Sequence, residues 1–571
     1  MKRLIKASML LMVAALFAAC ANEDVAQDKK KENETEAPKG GVIFAANGPK
    51  VSAKRLSIDG EDEFAGAKTR TNIKHTPGNG ADFYWTSDDF IWVWGKDGFP
   101  HKSTHTELHD GGASAEFILP GNKADYEDGC KVWYSGQGGY ALGPSPAAVA
   151  IETEYHLNTA NDFSIPGQSD CGSGRAYATG NPAKFNFRLS HKAAYLCFLP
   201  RCENAALAPN IRLTRIKLTS TKCYSDPSVP LADYFQFDGE TIGPSGARTY
   251  TSNSIYMIYF SFPLFTTANQ EANAVYCVIR PDTYDFKIEY TIKDPTTNIE
   301  TVVTQTLTNK TFDKGKIYDI TANLTPPVRT APTPRDFKYY MWDAQKDYWN
   351  GYENEQPIIN WGQPGATAGT HYPTSKANDP QRWYNDGATG TPTTPVRYDA
   401  QTTLFKTQPN VNELYWYLMK CDPHWGGGPV YAVNGHLWQM NGMWLRKKSA
   451  IVAYLKTNEH YPSTFTENDL KEGYKTSAIA VPIDYRVTFL NASGSFTQGT
   501  PANTTDYFFL PALGLYYLGR CYDFGSYGLY WSSSGDLFSN NRAYSITFST
   551  GHIAVRAEPS YSAAPVPGTF E

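Results

Sequence analysis

The stretch Tyr284-Asp285-Phe286-Lys287-Ile288-Glu289-Tyr290-Thr291-Ile292 alternates apolar and polar side chains without a break. A period of two puts Tyr284, Phe286, Ile288, Tyr290 and Ile292 on one face, the pattern of a half-buried β-strand and not of a helix. Phe185, Phe187 and Leu189 repeat it, as do Ile211 with Leu213 and Ile216 with Leu218. Turn-forming residues separate these runs, and helical periodicity is nearly absent before residue 325. The fold expected from this stretch outward is mainly β, with two antiparallel β-sandwich domains.

Composition agrees. The chain has 571 residues, and at roughly 150 residues per domain that is about three or four domains. Aromatic residues make up 14%, and 46 Gly with 37 Pro suit many short strands joined by turns. The net charge of -5 leaves no basic field of the kind nucleic acid requires, so a DNA or RNA partner is excluded.

One segment divides the chain. Thr325-Pro326-Pro327-Val328-Arg329-Thr330-Ala331-Pro332-Thr333-Pro334-Arg335 can form neither a helix nor a central strand and reads as an extended spacer. Trp85, Trp92, Trp94 and Trp133 precede it, and the other nine of the 13 Trp follow. The second part is mixed. Residues 409–420 predict an amphipathic helix with Val411, Leu414, Tyr415 and Leu418 on one face and Asn410 or Asn412 as its cap. Beyond it come Gly, Trp and short strands, among them the alternating Tyr544, Ile546 and Phe548.

The amino terminus reads as an export signal. Met1-Lys2-Arg3 is basic, and Leu4 to Ala19 is mostly apolar, about the length of a signal-peptide core and short for a membrane span. Phe17-Ala18-Ala19-Cys20 is similar to a lipobox, which makes Cys20 the candidate lipidation site; the alternative is an ordinary secretory signal with a chance Cys. Residues 21–41 are polar and charged and predict a flexible tether. Eight further Cys remain: Cys130, Cys171, Cys197, Cys202, Cys223, Cys277, Cys421 and Cys521. An oxidising compartment permits disulfides among them, and buried free thiols are the other reading.

Catalytic signatures are missing. There is no GxSxG, no HExxH, no CxxC and no phosphate-binding loop. His101, His105 and His109 are spaced as helical metal ligands would be, but the Thr-rich context predicts a polar loop. The chain is expected not to be an enzyme, to need no cofactor and to hold no metal.

The first part resembles the fimbrillin family, the subunits of type V pili in Bacteroidota. The carrying residues are Thr69-Arg70-Thr71, Phe83-Tyr84-Trp85-Thr86-Ser87-Asp88-Asp89-Phe90-Ile91-Trp92-Val93, Phe187-Arg188-Leu189-Ser190-His191-Lys192-Ala193-Ala194-Tyr195-Leu196 and Lys314-Gly315-Lys316-Ile317-Tyr318-Asp319-Ile320. The second part resembles the C-type-lectin-like module at the end of some fimbrillin-type proteins. There the carriers are Leu510-Pro511-Ala512-Leu513-Gly514, Gly528-Leu529-Tyr530-Trp531-Ser532-Ser533 and Asn541-Arg542-Ala543-Tyr544-Ser545-Ile546. The resemblance implies a signal peptide at 1–20, a tether at 21–41, fimbrillin sandwiches at 42–190 and 191–325, a linker at 326–335 and an α+β C-type-lectin-like adhesive domain at 336–571.

It also implies a mechanism. A lipidated precursor sits on the outer membrane; an Arg-specific protease removes the first strand, and a strand from the next subunit fills the groove. A vacated groove leaves unpaired backbone and apolar surface that a donated strand covers. Val42-Ile43-Phe44 is the candidate removable strand, and Arg55 and Arg70 are the candidate cleavage sites. With a further module where stalk subunits carry a donor strand, a tip position is implied, with other pilus subunits and a host or bacterial glycan or protein ligand as partners. Trp383, Asn385, Asp386, His424 and Trp425 are candidate ligand-binding residues, the Trp side chains as sugar-stacking platforms. Glu355-Gln356-Pro357 and Trp383-Tyr384-Asn385-Asp386 are similar to calcium motifs of such lectins but lie early in the module, where the true motifs lie late. The alternatives are a non-polymerising glycan-binding surface lipoprotein and a secreted enzyme on a lectin-like scaffold.

Overall fold

A computed structural model gives the structure of the chain over residues 41–47, 50–57, 73–137, 146–245, 251–360, 362, 365–387, 390–391, 393–476 and 481–566. The mainly β expectation holds. Strand Asp282–Asp294 contains the alternating stretch, with Tyr284, Phe286, Ile288 and Tyr290 buried.

The first sheet has eight strands, in the spatial order Pro100–Lys102, Trp92–Trp94, Cys130–Tyr134, Gly172–Ala178, Lys184–His191, Gly41–Asn47, Ser114–Pro120 and His105–His109. Val93 and Phe117, near opposite ends of this row, share one core with Val42, Phe44, Val132, Phe185 and Phe187, so the sheet curls around it. The acidic turn after the aromatic run is held by Asp89. Its carboxylate accepts from the Thr86 N–H at 2.7 Å, the Tyr134 hydroxyl at 2.8 Å and Gln137 Nε2 at 2.8 Å. Burial nevertheless pushes the Asp89 carboxyl above its ordinary value.

The second core lies among three sheets. One six-stranded sheet runs Val275–Ile279, Ala194–Arg201, Lys316–Asn323, Lys50–Ser57, Gly80–Phe83, Ile73–Thr76. Another is built on Arg212–Cys223, Asp282–Asp294 and Ile299–Phe312, and a three-stranded sheet contains Ala148–Ile151. Every residue of Ala194–Arg201 is buried, as a strand covered on both faces requires. The sheets do not divide at one point of the sequence, because Lys50–Ser57, Ile73–Thr76 and Gly80–Phe83 pair into a sheet of the second core.

One detail differs from the sequence expectation. The sheets are mixed: Gly41–Asn47 runs parallel to Lys184–His191, and Lys316–Asn323 runs parallel to both Ala194–Arg201 and Lys50–Ser57. Parallel neighbours need long crossover connections, and here strands distant in sequence lie side by side. Alternation reports which face is buried, not which way a neighbour runs.

After residue 335 the chain builds two four-stranded sheets and packs helices against them. The helix Val411–Lys420 forms where predicted, with Asn410 as its cap: Asn410 Oδ1 accepts from the Glu413 N–H at 3.0 Å, and Glu413 Oε2 from the Asn410 N–H at 2.9 Å. Trp416 and Tyr417 are buried as well, so more than one face is covered. Tyr339–Tyr340 pairs antiparallel with Ala564–Pro565, which brings the two ends of this part together.

The spacer and the hairpin formed by His424–Val433 and His436–Arg446 tie this part to the second core. The Arg329 N–H donates to Ala432 O at 3.0 Å, and the Ala432 N–H to Pro327 O at 2.9 Å. At the hairpin tip, Asp294 Oδ2 lies 2.9 Å from His436 Nδ1 and accepts the Leu437 N–H at 3.0 Å. Ala432 and Leu437 are buried within the second core. Gly435 at φ 81° makes the tip possible, and a side chain there would meet Ala206 O at 2.9 Å.

Candidate functional site: the leading strand and the cleft beside it

Val42, Ile43 and Phe44 lie in Gly41–Asn47, an interior strand of the first sheet. On one side they pair antiparallel with Leu119, Ile118 and Phe117; on the other, Ile43 and Phe44 stand opposite Lys184 and Phe185 in parallel register. Their exposures are 1%, 3% and 0%. Phe44 also meets Tyr126 edge-on at 5.3 Å. Fully burying side chains of this size stabilises by about 1.5–3 kcal/mol each. Taking this strand out would leave two strands with unpaired backbone and an apolar slot between them.

The chain then crosses to another sheet. In Lys50–Ser57, Arg55 stands opposite Asp319 in parallel register. The segment ahead of Arg70 thus supplies one rung to each of two sheets. Arg55 is inside a paired strand, which must separate before a protease can hold it extended. Cys20 and Arg70 lie outside the described residues.

The candidate ligand residues do not assemble into one site. Asn385 Nδ2 donates to Asp343 Oδ2 at 2.8 Å. Asp343 also accepts the backbone N–H groups of Gln401 and Thr402 at 2.7 and 2.9 Å, so Asn385 belongs to a structural hub. Asp386 bonds Lys376, which holds its carboxyl below the usual range. Trp383 is half-buried against Tyr384 at 5.3 Å. Trp425 is buried in a different core, between the sheets that pack on helix Val411–Lys420. His424 faces Asp422 at 3.3 Å beside Tyr507. Glu355 is engaged by His371 Nδ1 at 2.6 Å, and Gln356 Nε2 donates to Pro334 O at 2.9 Å. Each member of the calcium-like motifs is therefore occupied separately. His101 and His109 lie in strands, bonded to Asp97 at 3.0 Å and 3.9 Å from Glu116.

All eight described Cys are buried free thiols. Burial pushes Cys130 up to about 11 and Cys521 up to about 12. Cys421 and Cys521 sit in separate cores, so the paired-Cys chemistry of a lectin-fold enzyme has no geometric basis here.

A cleft of about 1020 Å³ opens on the outer face of the first sheet, beneath the turn Asp238-Gly239-Glu240, and Ala45 and Ala46 of the leading strand help line it. Register places Lys131 opposite Arg175, and Arg175 opposite Arg188, so three cations stand side by side across three strands. Like charges directly opposite one another are destabilising. The carboxylates around them are engaged elsewhere. Glu116 pairs with Lys184 at 2.8 Å and Glu240 with Lys192 at 2.8 Å. Asp238 accepts the Thr241 and Glu240 N–H groups at 2.6 and 2.7 Å, which hold it below the usual carboxylate range. Arg175 donates to Gly129 O at 2.8 Å, and none of the three cations has an ion pair among the described residues. Tyr177, 56% exposed, lines the same cleft. Sequence reading missed this row, because the residues come from three strands whose register is set only in the fold.

No protein-family model matches the chain, and no curated protein does. Solved structures similar to it carry cell-adhesion and fimbrial names. One is a candidate cell adhesion protein from Bacteroides ovatus, 14% identical, covering 50% of this chain and 92% of that one, with a TM-score of 0.29. A fimbrial protein from Bacteroides ovatus is 12% identical and covers 91% of this chain and 98% of that one, with a TM-score of 0.18. The fimbrial anchor protein Mfa2 from Porphyromonas gingivalis is 11% identical and covers 46% of this chain and 82% of that one, with a TM-score of 0.19. TM-scores of this size do not establish a common fold.

Proposed function

We propose that this chain is a cell-surface fimbrial subunit acting in adhesion, assembled by strand exchange after proteolytic removal of its leading strand. The observation that carries the reading is the position of Val42, Ile43 and Phe44: an interior rung with strands on both sides, near the beginning of the chain and ahead of both candidate cleavage sites. A rung so placed is one that a neighbouring subunit can replace by main-chain pairing, with side chains filling the pockets Val42 and Phe44 leave. In this reading the chain is a tip subunit that receives a strand and donates none. Lipidation at Cys20 anchors the precursor to the outer membrane.

The adhesive contact in this reading uses the cleft of Lys131, Arg175 and Arg188, and its ligand is an anionic glycan, carboxylates or sulfates meeting the cations and a sugar ring meeting Tyr177. The test of assembly is expression of the Arg55→Ala/Arg70→Ala double variant in a pilus-forming cell. The variant should stay lipidated, cell-bound and outside filaments. Normal incorporation would overturn processing at these two sites. A non-polymerising glycan-binding lipoprotein would share the cleft but show no Arg-dependent shift of its amino terminus.

A further inference from the structure

Tyr276, Cys197 and Asp319 stand opposite one another in three adjacent strands of the second core, Cys197 in the middle. Residues directly opposite in neighbouring strands project from the same face. The strand Ile73–Thr76 brings His75 against that face, where His75 Nε2 lies 3.0 Å from Asp319 Oδ1 with both side chains 0% exposed. The donor atoms of His75, Cys197 and Asp319 all lie within 4.8 Å of one another.

Hydrogen-bonding groups surround the imidazole. The Tyr276 hydroxyl has a single proton, and its shortest oxygen acceptor is Asn161 Oδ1 at 2.8 Å. It accepts from Gln270 Nε2 at 3.1 Å and lies 3.2 Å from His75 Nδ1, which Gln270 Nε2 also faces at 3.4 Å. In the tautomer that carries its proton on Nδ1, the form a metal ligand takes, His75 Nε2 presents a lone pair to Asp319 in a site shut off from water. Neither His75 Nε2 nor Asp319 Oδ1 has a well-directed hydrogen bond. A cation between them removes the repulsion.

We propose that His75, Cys197 and Asp319 bind a divalent transition-metal ion, with zinc the best match. Imidazole, thiolate and carboxylate are its usual ligands, at about 2.0–2.3 Å. One thiolate and one carboxylate neutralise a 2+ ion, so the loaded site carries no net charge into the interior. On binding, the Cys197 thiol gives its proton to solvent as the metal–sulfur bond forms. Outer partners are in place: His75 Nδ1 on Tyr276, and Asp319 Oδ2 accepting the Gly78 N–H at 2.7 Å. The ion would staple Ile73–Thr76, the first described strand after Arg70, to strands Ala194–Arg201 and Lys316–Asn323. The inference stands independently of strand exchange.

The test is metal content and cobalt spectroscopy on the purified full chain. Elemental analysis after exposure to stoichiometric zinc should find one zinc per chain. Cobalt substitution should give a thiolate-to-cobalt charge-transfer band. Cys197→Ser, nearly isosteric, should abolish that band and weaken zinc binding by more than about tenfold, since even outer partners are worth that much. A strong chelator should lower the melting temperature of the native chain but not of Cys197→Ser. A chain that takes up no zinc, or a Cys197→Ser variant that binds as tightly, overturns the proposal and leaves His75 and Asp319 as a purely structural contact of the core. The native-chain cobalt spectrum decides the matter even if the variant fails to fold.

Discussion

Phe44 lies flat on Phe185, ring centroids 4.8 Å apart and planes 4° from parallel, in strands that run side by side in the same direction with these two residues opposite each other. The contact joins a residue near the start of the described chain to one more than a hundred positions later. It makes the leading strand part of the first core.

Phe44→Ala should therefore destabilise the first core by about 3–5 kcal/mol, the cost of emptying a buried aromatic site. The denaturant midpoint of the full chain measures it. A loss below about 0.5 kcal/mol, the range of surface changes, would mean that the strand is no rung of the core.

Asp294 holds the hairpin tip. Burial would raise its carboxyl, but hydrogen bonds from the Leu437 N–H, His436 and the N–H groups of Thr296 and Thr297 outweigh it and hold the group below the usual range. A depressed folded value means that the stabilisation is present above the unfolded value of about 3.9 and is lost as pH falls through the folded one. Melting temperature should thus fall between about pH 4 and more acid conditions, and Asp294→Asn should flatten that part of the profile. Asp294→Ala at pH 7 should cost about 2–4 kcal/mol, because Leu437 N–H and its neighbours lose their acceptor inside the interface.

The eight buried thiols should be inert in the folded chain. A thiol reagent at pH 8 should label almost none of them until denaturant is added, after which all eight should react, since burial keeps the reagent from each sulfur. A labelling count reduced by pairs after denaturation would reveal disulfides.

Reversing Arg175 and Arg188 to Glu should remove binding of an anionic polysaccharide and leave the fold intact, because both side chains face solvent. Calorimetry with a polyuronate, compared with a neutral dextran at two salt concentrations, checks this. Native binding should weaken as salt rises. Equal affinity of native and reversed chains would place the ligand elsewhere.

Secondary structure was legible where one residue's neighbours in sequence decide its environment. The alternation of Tyr284 to Ile292 gave the strand, and the spacing of Val411, Leu414, Tyr415 and Leu418 behind Asn410 or Asn412 gave the helix expected there. Val42-Ile43-Phe44 was recognisable as a strand. The candidate ligand residues were less legible, because Asn385 and Trp425 are polar and aromatic for reasons of packing: one feeds Asp343, the other fills a core.

By itself the sequence determined that the chain is mainly β and which faces its strands bury, since those follow from local period and backbone chemistry. Tertiary structure alone decided that Phe44 meets Phe185, that Lys131, Arg175 and Arg188 form one row, and that His75 reaches Cys197 and Asp319. The physical reason is register: which residues of distant strands stand opposite each other depends on the hydrogen-bonded pairing of the whole sheet, and no single segment encodes it.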